Sequence, residues 1–118
     1  DRNGQEFVEL LKAQGMSAEG IIQSKDRMTT VKSRVIGNNH QMLRIDEERI
    51  EDLTSKELKG ITKIFNKIIS ENKINIIIFE DYDKGVIVPE LIGEAVRAAH
   101  SKKIPVTADP KKKNFRNL

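Results

Sequence analysis

The chain has 118 residues, of which 33% are charged, with a formal net charge of +3 and no cysteine. This length accommodates at most one domain, and the lack of cysteine excludes disulfides and thiolate metal sites. No apolar run is long enough to span a membrane, and the few aromatic residues do not favour a nucleic-acid partner, so we expect a cytoplasmic protein.

The first predicted element is a helix over residues 4–14, which Gly15 ends. Its apolar residues recur at helical spacing: Phe7, Val8, Leu10 and Leu11. A short strand is then predicted at Ile21 and Ile22. Because the sequence begins at Asp1 rather than at a methionine, we also expect the chain to be an excerpt of a longer protein.

A β-hairpin is predicted next. The first strand, Thr30 to Ile36, alternates polar and apolar residues, a turn-like stretch follows at residues 37–40, and Gln41 to Asp46 forms the second strand. A two-stranded ribbon is only marginally stable alone in water. We therefore expect this hairpin to lie on another surface.

The second half alternates helices and strands. Thr54 and Glu57 have the spacing of a capping box and open a helix. Apolar strands are predicted at residues 74–79 and 104–108, joined by a helix that starts at Pro89. This is a βαβ unit, with a right-handed crossover as the default. Because the first strand has no polar alternation, we expect it to be buried on both faces.

Both predicted strands run into a carboxylate and then a lysine. Asp81 and Lys84 follow the first strand, and Asp109 and Lys111 follow the second. In open parallel sheets, ligands bind beyond the carboxyl ends of the strands. This edge is therefore the predicted ligand site.

Four sequence blocks carry a resemblance to a known family. In chain order they are Thr29 to Ile36, Gln41 to Asp46, Asp81 to Val86 and Ile104 to Lys111. Together they resemble the ribokinase-like (PfkB-type) carbohydrate kinases. Within that family the chain is most similar to the D-glycero-β-D-manno-heptose 7-phosphate kinase half of ADP-heptose synthase, and it looks like the middle third of that kinase.

The resemblance implies an α/β fold, a ribokinase-like parallel sheet with flanking helices, in which residues 1–118 form part of one domain. Residues 29–46 would be a lid hairpin that also joins a homodimer, and residues 54–118 would be part of the α/β body. The implied reaction transfers the γ-phosphoryl group of ATP, with Mg²⁺, to heptose 7-phosphate. Its product is heptose 1,7-bisphosphate, a step towards ADP-heptose and the lipopolysaccharide core.

The resemblance also assigns candidate site residues. Lys84, Asp109 and Lys111 are the candidate ATP or phosphate contacts, because positive groups offset charge on a moving phosphoryl group. The candidate substrate contacts are Lys32, Arg34, Gln41, Arg44 and Asp81, since arginine suits a sugar that already carries a phosphate.

Ordinary structural roles stay open for these residues. The lysines could be solvated, Arg44 could pair with Asp46, and Asp81 could anchor its loop by accepting backbone amides. No protein-held metal site is predicted, and Mg²⁺ would come with ATP.

The family's catalytic base, in a Gly-x-Gly-Asp motif, is expected beyond Leu118. We therefore predict that this chain contains no catalytic residue and is inactive alone. Two alternatives remain. One is a fructokinase or ribokinase type of enzyme with the same fold, although the positive hairpin residues favour a phosphorylated sugar. The other is a non-catalytic α/β binding module.

Overall fold

The computed structural model describes residues 1–116. The last two positions of the predicted ranges 1–118 and 54–118 lie outside the described residues. The chain divides into two compact units, residues 1–49 and residues 50 onward. The elements are α1 (Arg2–Ala13), β1 (Val31–Gly37), β2 (His40–Glu47), α2 (Ser55–Glu71), β3 (Ile77–Glu80), α3 (Pro89–Ser101) and β4 (Val106–Asp109).

Helix α1 confirms the first predicted helix but begins at Arg2, because Asp1 is its N-cap. The Asp1 carboxylate accepts a hydrogen bond from the Gly4 amide at 2.8 Å and from the amide and hydroxyl of Thr29, both at 2.8 Å. The prediction of a strand at Ile21 and Ile22 is wrong. Those residues lie in a turn-containing segment, where the Ile21 amide donates to the Ala18 carbonyl.

Strands β1 and β2 form the predicted antiparallel hairpin. Asn38 and Asn39 connect them with φ angles of 49° and 61°, and two successive positive φ angles match the twist of a tight hairpin. Val35 lies opposite Leu43, and both remain about half exposed, at 45% and 51%. Within the first unit, therefore, the hairpin does not bury its apolar residues.

The second unit contains the predicted βαβ arrangement. Thr54 and Glu57 cap α2 reciprocally, as the capping-box spacing predicted. Strands β3 and β4 pair in parallel, with Ile77 opposite Val106. The α/β class, with a small hairpin and a two-stranded parallel sheet, is thus confirmed.

The core of the second unit covers one face of this sheet. Phe79, Ile92 and Ala95 form its buried cluster, with Phe65 of α2 packed against it. On the opposite face, Ile76 and Ile78 are 48% and 55% exposed. The expected burial of this strand on both faces is therefore wrong for the described residues, because α2 and α3 both pack on the Phe79 side.

Across residues 1–116, none of the helices combines the length and the apolar character that crossing a membrane requires.

Candidate functional site

The loops after β3 and β4 leave the same edge of the parallel sheet. Glu80 is the register partner of Asp109, and one residue further on the Asp81 amide donates to the Asp109 carbonyl at 3.2 Å. Parallel pairing therefore continues into the loops. The two predicted strand ends lie side by side, as the sequence pattern required.

Asp81 ties the two loops together from a buried position. Its side chain is 3% exposed and accepts hydrogen bonds from the Asp83 amide at 2.8 Å, the Lys111 amide at 3.2 Å and the Asn114 side chain at 3.0 Å. These contacts correspond to the loop-anchoring role that the sequence left open. The assignment of Asp81 to substrate binding stays a prediction.

The environment of Asp81 favours its charged form. Burial alone would raise the pKa of this carboxyl group, but the hydrogen bonds from the Asp83 amide, the Asn114 side chain and the Lys111 amide outweigh it, and the Lys111 charge adds to them. The pKa of Asp81 therefore lies below its ordinary value. The loops meet around a stable negative charge.

Asn114 completes this arrangement and was not predicted. It is 3% exposed, and its side-chain amide also donates to the Ile87 carbonyl at 2.8 Å. In the sequence it follows three consecutive lysines, which indicate a solvated segment. No sequence signal distinguished it, because its burial depends on the partner loop.

A third segment, residues 51–53, joins the same place. Gly85 has a φ of 72°, and a Cβ atom there would overlap the Glu51 carbonyl oxygen. The Leu53 amide donates to the Gly85 carbonyl at 3.0 Å. We call residues 51–53, 81–88 and 109–114 together the strand-end junction. The chain bends at Gly85, and the close backbone approach explains why this position needs glycine.

Lys113 adds an ion pair to the strand-end junction. Its ammonium group lies 2.6 Å from an Asp52 carboxylate oxygen. The pKa of Lys113 is raised, first by this hydrogen bond and also by the negative charges of Asp52, Asp83 and Asp81, while partial burial opposes the shift. Lys113 thus links residues 109–114 to residues 51–53 within the strand-end junction.

The three predicted phosphate contacts all belong to the strand-end junction. Lys84 is half-buried, whereas Asp109 and Lys111 are exposed. The backbone of Lys111 is fixed by its hydrogen bond to Asp81, which leaves the exposed ammonium group at the end of an anchored backbone. The junction therefore brings together two lysines and two aspartates predicted from the sequence.

The predicted hairpin contacts lie in the other compact unit. Asp46 pairs with the Lys32 ammonium at 3.0 Å and with Nε of Arg44 at 2.9 Å. The pairing of Arg44 with Asp46, left open by the sequence, is confirmed. Arg34 lies directly across from Arg44, and Gln41 is an exposed residue opposite Ile36. Lys32, Arg34 and Arg44 consequently share one face of the hairpin.

The Asp46 carboxylate offsets part of this positive charge. Its pKa is lowered, first by the Lys32 hydrogen bond and further by the charges of Arg44 and Lys32, with burial acting in the opposite direction.

Among the described residues there is no cluster of three or more histidine, aspartate or glutamate side chains that could hold a metal ion.

The chain is similar over 98% of its length to proteins named bifunctional protein HldE. It is 36% identical to the Helicobacter pylori protein and 31% identical to the Geobacter sulfurreducens protein, each over 115 residues. It covers 24% and 23% of those two proteins, so it spans about a quarter of its relatives' length. No protein-family model matches the chain. These matches confirm the part of the resemblance that concerns the bifunctional ADP-heptose synthase.

Proposed function

Because the chain is related over 98% of its length to bifunctional HldE proteins, we propose that it is a central part of the kinase domain of an ADP-heptose synthase. The domain has a ribokinase-like fold. The longer cytoplasmic enzyme transfers the γ-phosphoryl group of ATP to the anomeric hydroxyl of heptose 7-phosphate. The product is heptose 1,7-bisphosphate, a precursor of the lipopolysaccharide core.

The observation that supports this proposal most is the strand-end junction. It holds Lys84 and Lys111 at the carboxyl ends of two parallel strands, where ligands of such sheets bind. Phosphoryl transfer is catalysed largely by positioning and by positive groups that offset charge on the transferred group. An exposed ammonium group on an anchored backbone suits that task, and Asp109 lies at the same edge.

The hairpin is proposed as the lid over the sugar. Arg34, Arg44 and Lys32 share one face and would bind the phosphate that the sugar already carries, and Gln41 would contact a hydroxyl. The pairing of Asp46 with Lys32 and Arg44 orients both cations while leaving a net positive face. A guanidinium group can grip phosphate through two parallel hydrogen bonds.

We also propose that the lid contacts a second copy of the chain. The half-exposed apolar residues of the hairpin support this, among them Val35, Leu43 and Ile45. Size-exclusion chromatography with light scattering measures the mass directly. A dimer that becomes monomeric on Leu43→Asp substitution is expected, and a wild-type protein that is already monomeric would contradict this part of the proposal.

ATP would bring Mg²⁺, which is held largely by phosphate oxygens and water in such sites. The role proposed for Lys84 and Lys111 concerns the same phosphate oxygens. The catalytic base is expected in sequence beyond residue 118. The chain by itself is therefore predicted to release no phosphorylated sugar above a control without protein.

A substrate panel with the full-length protein tests the function. With ATP and Mg²⁺, phosphorylation of heptose 7-phosphate is expected to exceed that of ribose, fructose and their phosphates. Equal or better turnover of unphosphorylated ribose or fructose would favour the fructokinase or ribokinase alternative. No phosphorylation of any sugar would contradict the kinase proposal and favour a binding module.

A further inference from the structure

We propose that Asn114 is a positioning residue for phosphoryl transfer: it holds the two strand-end loops together and thereby sets the place of the Lys111 ammonium group. This inference rests on the proposed kinase function. Asn114 does not contact the reacting groups in this proposal. It acts through Asp81 and through the backbone of Lys111.

The side-chain amide of Asn114 donates to both Asp81 and Ile87. Nδ2 donates to Asp81 Oδ2 at 3.0 Å and to the Ile87 carbonyl at 2.8 Å, and the residue is 3% exposed. Asp81 and Ile87 bracket the loop that contains Lys84. A single buried amide group therefore fixes the start and the end of that loop.

The connection to Lys111 has two branches. The backbone amide of Asn114 donates to the Lys111 carbonyl at 3.0 Å, which closes a turn. The backbone amide of Lys111 donates to Asp81 Oδ2, the same oxygen that accepts from the Asn114 side chain. Lys111 is thus held on both sides of its Cα atom. Loss of the Asn114 side chain would remove one donor from Asp81 and release the Ile87 carbonyl.

A role limited to stability makes a different prediction. If Asn114 only kept the protein folded, its substitution would reduce the concentration of active enzyme and would do so equally with or without Lys111. If it acts mainly through Lys111, its substitution should matter far less once Lys111 is absent. Coupling between two substitutions distinguishes these cases.

The test compares four forms of the full-length protein: wild type, Asn114→Leu, Lys111→Ala and the double variant. Leucine has the same number and branching of side-chain heavy atoms as asparagine but cannot donate a hydrogen bond. For kcat/KM with ATP, we expect a loss of about 10-fold for Asn114→Leu and about 100-fold for Lys111→Ala. The double variant should lose about 100-fold, like Lys111→Ala alone. Asn66→Leu, at an exposed asparagine of α2, is the matched control and should leave kcat/KM unchanged.

A loss of about 1,000-fold in the double variant, the product of the two single losses, would overturn the positioning role. Amide hydrogen exchange tests the linkage without any assay of activity. Asn114→Leu should speed exchange at the Lys111 amide, whereas Asn66→Leu should not, and unchanged exchange in Asn114→Leu would overturn the linkage. A wild-type protein without kinase activity would overturn the proposed function and the kinetic role of Asn114. Hydrogen exchange at the Lys111 amide would still show whether Asn114 holds Lys111 in place.

Discussion

The two compact units of the chain maintain their structure in different ways. Every buried hydrophobic residue identified in residues 1–116 belongs to the second unit: Ile69, Phe79, Val88, Leu91, Ile92, Ala95 and Ala99. Within residues 1–49, the side chains are all exposed or only partly buried. The strand-end junction therefore rests on a packed core, whereas the hairpin has none of its own.

Polar contacts take the place of a core in the first unit. Asp1 links the start of α1 to Thr29, Asp46 pairs with Lys32 and Arg44, and the Arg49 guanidinium donates to a backbone carbonyl. Exposed ion pairs of this kind contribute little to stability, because water and salt screen them. The comparison teaches that the geometry of the strand-end junction rests on a buried core, whereas that of the hairpin rests on exposed polar contacts.

The largest expected difference follows from truncating one apolar residue in each unit. Phe79→Ala should lower the free energy of unfolding by about 4 kcal/mol, because Phe79 is the centre of the buried cluster. Met42→Ala, at a hairpin residue that is 71% exposed, should cost less than about 0.5 kcal/mol. Urea unfolding of both variants measures the difference. Equal losses would show that the hairpin is as tightly packed as the core and would break the comparison.

Two glycines with the same backbone conformation sharpen the comparison. Gly85 and Gly15 have φ angles of 72° and 71°, but only Gly85 faces a neighbouring carbonyl, and nothing lies within 4 Å of a Cβ at Gly15. Gly85→Ala should cost roughly 3 kcal/mol from strain and overlap together, and Gly15→Ala about 1 kcal/mol from strain alone. Thermal unfolding gives both values. Similar losses would mean that residues 51–53 are not held against the turn.

Asp81 should make the second unit sensitive to acid. Its folded-state pKa lies below the ordinary value of 3.8, so its stabilising effect is present above pH 3.8 and is lost as the pH falls through the lower folded-state pKa. Asp81→Asn should therefore destabilise the protein most near pH 6 and progressively less below pH 3.8. Unfolding free energies at pH 6 and pH 3 measure the change. A difference between wild type and variant that does not vary with pH would contradict this prediction.

The smallest expected loss of stability is that of Asp46→Asn, which is the counterpart in the first unit of Asp81→Asn. The pKa of Asp46 is also lowered, first by the Lys32 hydrogen bond, but its partners are exposed, at 42% and 52% for the Lys32 and Arg44 side chains. Salt should screen these pairs more than the buried Asp81 contacts. The destabilisation by Asp46→Asn should thus shrink between 0.05 M and 1 M sodium chloride, while that by Asp81→Asn should persist. The reverse ranking would contradict the division between the two units.

The predictable features of the fold were those encoded locally. The reciprocal cap of Thr54 and Glu57 and the hairpin around Asn38 and Asn39 both follow from residue types at fixed spacing. The pairing of the two strand ends followed from the βαβ pattern.

The features that sequence reasoning missed depend on contacts between distant segments. Ile21 and Ile22 have strand propensity but no partner strand. Ile78 is exposed because both helices pack on the other face of the sheet. Asn114 is buried because Asp81 and the Ile87 carbonyl are available to it, and neither lies near it in sequence. The candidate residues of the strand-end junction were therefore predictable as strand-end positions, whereas the groups that hold them were not.

The central claim is that the strand-end junction binds the phosphates of ATP in a sugar kinase. Its most direct test is kcat/KM for ATP in the full-length protein carrying Lys111→Ala, beside Lys112→Ala as the adjacent control. We predict a loss of about 100-fold for Lys111→Ala and less than about 2-fold for Lys112→Ala, since only Lys111 has its amide anchored by the Asp81 carboxylate. Equal kcat/KM for wild type and Lys111→Ala would contradict the claim.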